Sequence, residues 1–136
     1  MSPELTTRAL IAVGVIGASL LAFWLLQRLS LRRAASRVLG LREYHIGRPA
    51  ILYFTTPTCA PCKTVQRPAI ESIRARLGGA LQVFEIDATR QPDLADAWGV
   101  LSVPTTFIID PHGQPRAINH GVATAEKLYS QLREII

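Results

Sequence analysis

The stretch "AILYFTTPTCAPCKTVQRP", residues 50–68, decides how the rest of the chain is read. Its first part is a continuous apolar, β-branched and aromatic run, the form taken by a strand buried on both faces. Its second part holds the only two cysteines of the chain, Cys59 and Cys62. A helix is expected from about Ala60. Pro61 sits in its first turn, where a missing N–H costs nothing, and Val65, Ile70, Ile73 and Leu77 recur at roughly helical spacing until Gly78 and Gly79 stop it.

Two cysteines are too few for a disulfide scaffold, and a chain of 136 residues is long enough to bury one core without staples. Their role is therefore expected to be chemical. In a metal reading the pair supplies half of a tetrahedral site, and His45, His112 or His120 must complete it. His112 and His120 stand further apart than the usual His spacing of zinc sites. In a redox reading Cys59 falls at a strand-to-helix junction, where unpaired N–H groups and the helix dipole stabilise a thiolate. Cys62, one turn on, is then placed to attack a mixed disulfide formed at Cys59, with Pro61 stiffening the turn between them.

Further along the chain, "ALQVFEID" (80–87) reads as a second strand and "QPDLADAWGV" (91–100) as a short helix with Pro92 near its start and Gly99 at its end. "TTFIID" (105–110) and "RAINHG" (116–121) are strands flanking the turn chemistry of "DPHGQP". "TAEKLYSQLREII" (124–136) closes as an amphipathic helix with Leu128, Leu132 and Ile135 inward. A strand–helix–strand start demands a right-handed parallel crossover and the hairpin adds antiparallel strands, so the expected class is α/β, a mixed central sheet flanked by helices.

Towards the N-terminus the chemistry changes. "ALIAVGVIGASLLAFWLL", Ala9 to Leu26, contains no charge, amide or proline. As a helix it spans about 27 Å, close to a bilayer's hydrocarbon core, and is expected to be one transmembrane helix. A cleaved signal peptide would carry basic residues before the run and a small-x-small site after it; here Arg8 precedes, while Arg28, Arg32, Arg33 and Arg37 come after. Those arginines favour a cytoplasmic location for the globular part beyond the span. Segment 27–42 mixes five Arg with Leu29, Leu31, Val38, Leu39 and Leu41, suiting either a helix leaving the membrane along anionic headgroups or an ordinary solvated linker helix. Residues 1–48 hold seven Arg against Glu4 and Glu43, whereas residues 49–136 hold eight basic and eight acidic side chains. A neutral globular part without a basic stripe argues against nucleic acid as a partner.

With these residues in place, "AILYFTTPTCAPCK" and "FEIDATRQPDLADAWGVLSVPTTFIIDPHGQP" together resemble the thioredoxin superfamily over about residues 49–136. The resemblance implies a thioredoxin-like fold preceded by one transmembrane helix, divided as tail (1–8), span (9–26), basic juxtamembrane helix or linker (27–48) and thioredoxin-like domain (49–136). It implies a thiol–disulfide oxidoreductase whose only redox group is a Cys59–Cys62 disulfide, with no other cofactor and no metal. Catalysis is assigned to Cys59 and Cys62, and substrate binding to Val103, a cis Pro104 and Thr105, with Pro57 and Trp98 at the groove border, Trp98 being equally suited to the core. Partners implied are protein substrates with disulfides or dithiols, an upstream reductase or oxidant, and the membrane. Three departures stand out: Thr58 and Ala60 replace the family's Trp and Gly, Tyr53 and Val83 replace its buried Asp–Lys pair, and the helix-kinking Pro comes one residue late, at Pro68. With Tyr53 in place of Asp, deprotonation of Cys62 is expected to rely on water or on Thr55 or Thr56, making exchange slower. The family's first strand and helix are short or missing, and the 27–47 segment is expected in their place. Two other readings share the fold: an extracytoplasmic protein of cytochrome c maturation or disulfide formation, although the insertion common there is lacking, and a non-catalytic adaptor for a membrane partner.

Overall fold

The computed structural model describes residues 2–35, 41 and 43–136, without the side chains of 30–35; expectations for 36–40 and 42 lie outside the described residues. The chain divides into two units, Met1–Leu31 and Arg32–Ile136.

The first unit is helix α1, Pro3–Ala35, whose last residues enter the second. It begins earlier than the span expected at 9–26, and residues 3–8, expected as a tail, form its opening turns. Pro3 is the first helical residue, a position that proline's fixed φ suits, Glu4 meets the positive end of the dipole, and the hydroxyls of Thr6 and Thr7 both donate to the Pro3 carbonyl at 2.8 Å. Within Pro3–Leu29 the most apolar 18-residue window has a mean hydropathy of 2.4 and none of it is buried. By length and composition it can cross a membrane, a criterion that an N-terminal signal sequence also meets. Ser19 donates to the Val15 carbonyl at 2.8 Å, satisfying its hydroxyl within the helix.

The second unit is a four-stranded sheet of order β2-β1-β3-β4, formed by β1 (Ala50–Thr55), β2 (Gln82–Asp87), β3 (Thr105–Ile109) and β4 (Pro115–His120). β1 pairs parallel with β2 and antiparallel with β3, and β3 pairs antiparallel with β4, so the expected mixed sheet is present. All six residues of β1 are buried, as a central strand covered on both faces requires. On one face Leu52, Phe54, Ile86 and Phe107 pack with Ala95 and Trp98 around α3 (Pro92–Ala97), and Leu41 joins them. On the other, Ile51, Tyr53 and Ile108 meet Ile70 and Ile73 of α2 (Arg67–Leu77) and Leu128 and Leu132 of α4 (Ala125–Arg133). Thr124 caps α4, its hydroxyl accepting from Lys127 N at 3.2 Å.

One departure from helical expectation bears on the site. Between Pro61 and α2, Cys62–Gln66 form a π-helical turn, with the Arg67 N–H bonded to the Cys62 carbonyl. A π-turn takes in one more residue than an α-turn, which accommodates a proline at 68. It also advances the helix phase. Val65, expected inward, is 47% exposed, and Gln66 faces inward with no exposed surface. The buried amide is satisfied: Gln66 Oε1 accepts from Ala123 N at 2.8 Å and Nε2 donates to the Ala123 carbonyl at 3.2 Å.

Candidate active site

The end of β1 turns through Thr56, Pro57 and Thr58 into a helical segment that starts at Ala60, and Cys59 occupies the junction. Cys59 N donates to Thr56 O at 3.2 Å, closing that turn. The two cysteines are disulfide-bonded, with Cα atoms 5.3 Å apart. Their environments differ. Cys59 keeps 9% of its surface exposed and Cys62 keeps none. The backbone N–H of Cys62 donates to Cys59 Sγ at 3.2 Å. In the reduced protein that donor and the positive end of the helix dipole favour a thiolate at Cys59.

The loop before β3 carries the second expected element. The Val103–Pro104 peptide bond is cis, Pro104 is buried and Val103 half-buried. Gly121 N donates to the Pro104 carbonyl at 2.9 Å, tying this loop to the end of β4. Pro57, expected at the groove border, is exposed. Two residues expected to line the groove offer it little surface. Thr105 is fully buried, its hydroxyl donating to Ser102 O at 2.7 Å, because the first residue of an inner strand faces the core. Trp98 is 5% exposed and packs edge-on against Phe107 with ring centroids 4.9 Å apart, the core alternative of its expectation. Leu101, two residues before Val103, is instead 95% exposed, an apolar side chain between Gly99 and Pro104 that no sequence motif flags.

Tyr53 stands where the resemblance expected a buried Asp, and its ring is buried at 1% exposure. Its hydroxyl donates to the Cys62 carbonyl at 3.1 Å, so the side chain touches the cysteine turn directly. Burial pushes the phenol's pKa above its usual value, the Thr55 hydroxyl opposes that, the charge of Glu85 adds to it and that of Arg67 opposes it. Arg67 and Glu85 form an ion pair at 2.5 Å. Neither was singled out from sequence, because α2 and β2 are far apart in the chain and only the fold joins them. Thr55, expected as a local hydroxyl, is 6% exposed. Among the described residues no three His, Cys, Asp or Glu side chains gather as a metal-binding group. The two sulfurs are joined to each other, and His112 is exposed on the β3–β4 turn.

Comparison with known proteins bears on this arrangement. The family model described as Thioredoxin matches residues 44–134. Among curated relatives, a thioredoxin of Borreliella burgdorferi is 32% identical over 69 residues, 51% of this chain and 58% of the relative. Thioredoxin-like protein slr0233 of Synechocystis is 29% identical over 89 residues, 65% of this chain and 83% of the relative. The chain thus spans little more than half of the first of these and most of the second. A solved malaria-parasite thioredoxin-2, titled as a component of that parasite's protein secretion machinery, aligns with a TM-score of 0.60 at 18% identity, covering 64% of this chain and 82% of that one. At that identity the likeness concerns the fold.

Proposed function

The chain belongs to the thioredoxin family, and from that membership we propose that it is a membrane-anchored thiol–disulfide oxidoreductase that reduces disulfides in protein substrates. The observation that carries the reading is the asymmetry of the cysteine pair, Cys59 keeping a little exposed surface with a backbone donor at its sulfur and Cys62 keeping none. Cys59 as thiolate attacks a substrate disulfide and one substrate thiolate leaves; Cys62 then attacks Cys59 Sγ, closing the internal disulfide and releasing the second substrate thiol. Two electrons pass to the substrate, and an upstream reductant must return them. Pro57, Val103 and Pro104 border the groove in which the substrate strand lies, Val103 offering it backbone hydrogen bonds, while Thr105 and Trp98 support that groove from the core side.

Helix α1 is the membrane anchor in this proposal, and the arginines after it support a cytoplasmic redox domain, a compartment in which reduction is the natural direction. Alkylation of Cys59 in intact against permeabilised cells reads the side directly. The activity is tested with the full-length chain in detergent and a protein disulfide such as insulin. The unmodified chain is expected to reduce it, Cys59→Ser to be inactive, and Cys62→Ser to accumulate a covalent adduct through Cys59. An unmodified chain that neither reduces insulin nor traps a partner as Cys62→Ser would leave an adaptor with a thioredoxin fold.

A further inference from the structure

Resting on that activity, the resolving step poses a proton problem. Cys62 must lose its proton before it can attack, and its side chain has no exposed surface. The Tyr53 hydroxyl, which touches the turn of Cys62, is itself a donor to the Cys62 carbonyl. The Thr55 and Thr56 hydroxyls accept hydrogen bonds but are too weakly basic to take a proton near neutral pH. A carboxylate is a far better proton acceptor than either hydroxyl or water.

The sheet supplies one. Glu85 is the register partner of Tyr53 across the parallel β1–β2 pair, so the two side chains leave the same face of neighbouring strands about 4.8 Å apart. The Arg67 guanidinium holds the Glu85 carboxylate at 2.5 Å, while the Arg67 backbone N–H donates to the Cys62 carbonyl. One residue therefore ties the carboxylate to the turn that carries the buried sulfur. On its outer side Glu85 opens on a cavity of about 260 Å³, shared with Thr55, Thr56, Pro57, Lys63, Arg67 and Asp87 and not with Cys62, with room for several waters. Asp87 is a weaker candidate. Its Oδ1 already accepts from Thr89 N at 2.9 Å and from the Thr89 hydroxyl at 2.6 Å, and the hydroxyl bond above all, against a smaller opposing effect of burial, holds its carboxyl below the usual range.

We propose that Glu85, positioned by Arg67, is the proton acceptor for Cys62 in the resolving step, reached through water beside the Tyr53 hydroxyl. That hydroxyl bonds the Cys62 carbonyl and feels the charge of Glu85. The Cys62 thiol gives its proton to the carboxylate, and the thiolate attacks Cys59 Sγ. The Cys59–Cys62 bond forms as the bond from Cys59 to the substrate sulfur breaks. The departing thiolate takes a proton from solvent and Glu85 returns its own, so the dithiol is oxidised by two electrons and the substrate disulfide reduced by two. The proton-accepting role thus moves from position 53 to its partner one strand away. The charged and titratable groups facing Glu85 are Tyr53 from β1, Lys63 and Arg67 from the helical segment and Asp87 from its own strand, with Glu71 facing Arg67.

The test is stopped-flow oxidation of the reduced full-length chain by an aromatic disulfide whose released thiolate absorbs, giving one phase for attack by Cys59 and a second for resolution by Cys62. Glu85→Gln is expected to leave the first phase unchanged and to slow the second at least about tenfold at neutral pH, a modest part of what general acid–base catalysis supplies. Its second phase should keep rising with pH where that of the unmodified chain levels off. Glu85→Asp should recover part of the rate, and Arg67→Gln should slow the same phase, which a merely structural role at this half-exposed pair would not produce. A second phase of equal rate and equal pH profile in Glu85→Gln overturns the proposal and leaves the oxidoreductase reading intact. Absence of the first phase from the unmodified chain overturns both.

Discussion

The two ends of the central strands are built from similar residues to opposite purpose. At the end where β1 begins and β3 finishes, each buried polar side chain is closed on partners. Gln82 accepts from His45 N at 2.8 Å and donates to the carbonyls of His45 and Arg48 at 2.9 and 3.1 Å. The Asp110 carboxylate accepts from His112 N and Gln114 N, both at 2.9 Å, and from Arg116 Nε at 2.6 Å, and the Tyr44 hydroxyl donates to the Asp110 carbonyl at 2.9 Å. At the other end, where β1 finishes and β3 begins, one backbone donor is aimed at the Cys59 sulfur of the disulfide, and a cavity lined by Lys63, Arg67, Glu85 and Asp87 lies open on the same side of the sheet's end. Saturated hydrogen bonding makes the first end a clamp. The disulfide makes the second able to exchange bonds.

Gln82 offers the strongest challenge to this contrast. Gln82→Ala removes three hydrogen bonds at once and is expected to cost about 2–3 kcal/mol, seen as a lower urea midpoint, while disulfide reduction per folded molecule stays unchanged. A large loss of exchange rate in the folded variant would show that the two ends are coupled.

Asp110 probes the same contrast through pH. Burial alone would raise its pKa, but the N–H groups of Gln114 and His112 and the guanidinium of Arg116 outweigh it and hold the carboxyl below the usual range. A depressed folded pKa stabilises above the unfolded value of about 3.9, and that stability is lost as pH falls through the folded value. Asp110→Asn is therefore expected to cost about 1–2 kcal/mol near neutrality, and the gap from the unmodified chain should shrink below about pH 4 in acid unfolding.

The smallest effect on stability is expected from Arg67→Gln. Both partners of its ion pair keep over two fifths of their side-chain surface exposed, so unfolding should shift by less than about 1 kcal/mol. If the same substitution slows resolution, the residue's worth lies in chemistry and not in the fold. A stability loss as large as that of Gln82→Ala would erase the distinction between the two ends.

Much of this was legible in order along the chain. The run 50–55 announced a central strand because every residue in it is apolar or β-branched, and Pro92, Gly99 and the "DPHGQP" turn marked boundaries that β2, α3, β3 and β4 respect. Less legible was the phase of the helix after the cysteines. Val65 and Gln66 exchange inside and outside because a π-turn intervenes, and its closing bond, Arg67 N to Cys62 O, spans five residues that no apolar periodicity flags. The start of α1 at Pro3, ahead of the apolar stretch, is marked by no apolar pattern, whereas its run past Leu26 is the helix expected after the span.

From sequence alone came the chemistry on offer: two cysteines at a helix start, a proline before a strand, and an apolar helix ahead of them. Each depends on neighbours within a few residues, where local propensity and capping decide. Only the tertiary structure decided which side chains meet. Tyr53 reaches the Cys62 carbonyl and Glu85 comes beside it because the parallel β1–β2 register and the helix phase carry residues distant in the chain to one face, and both are set by packing of the whole sheet.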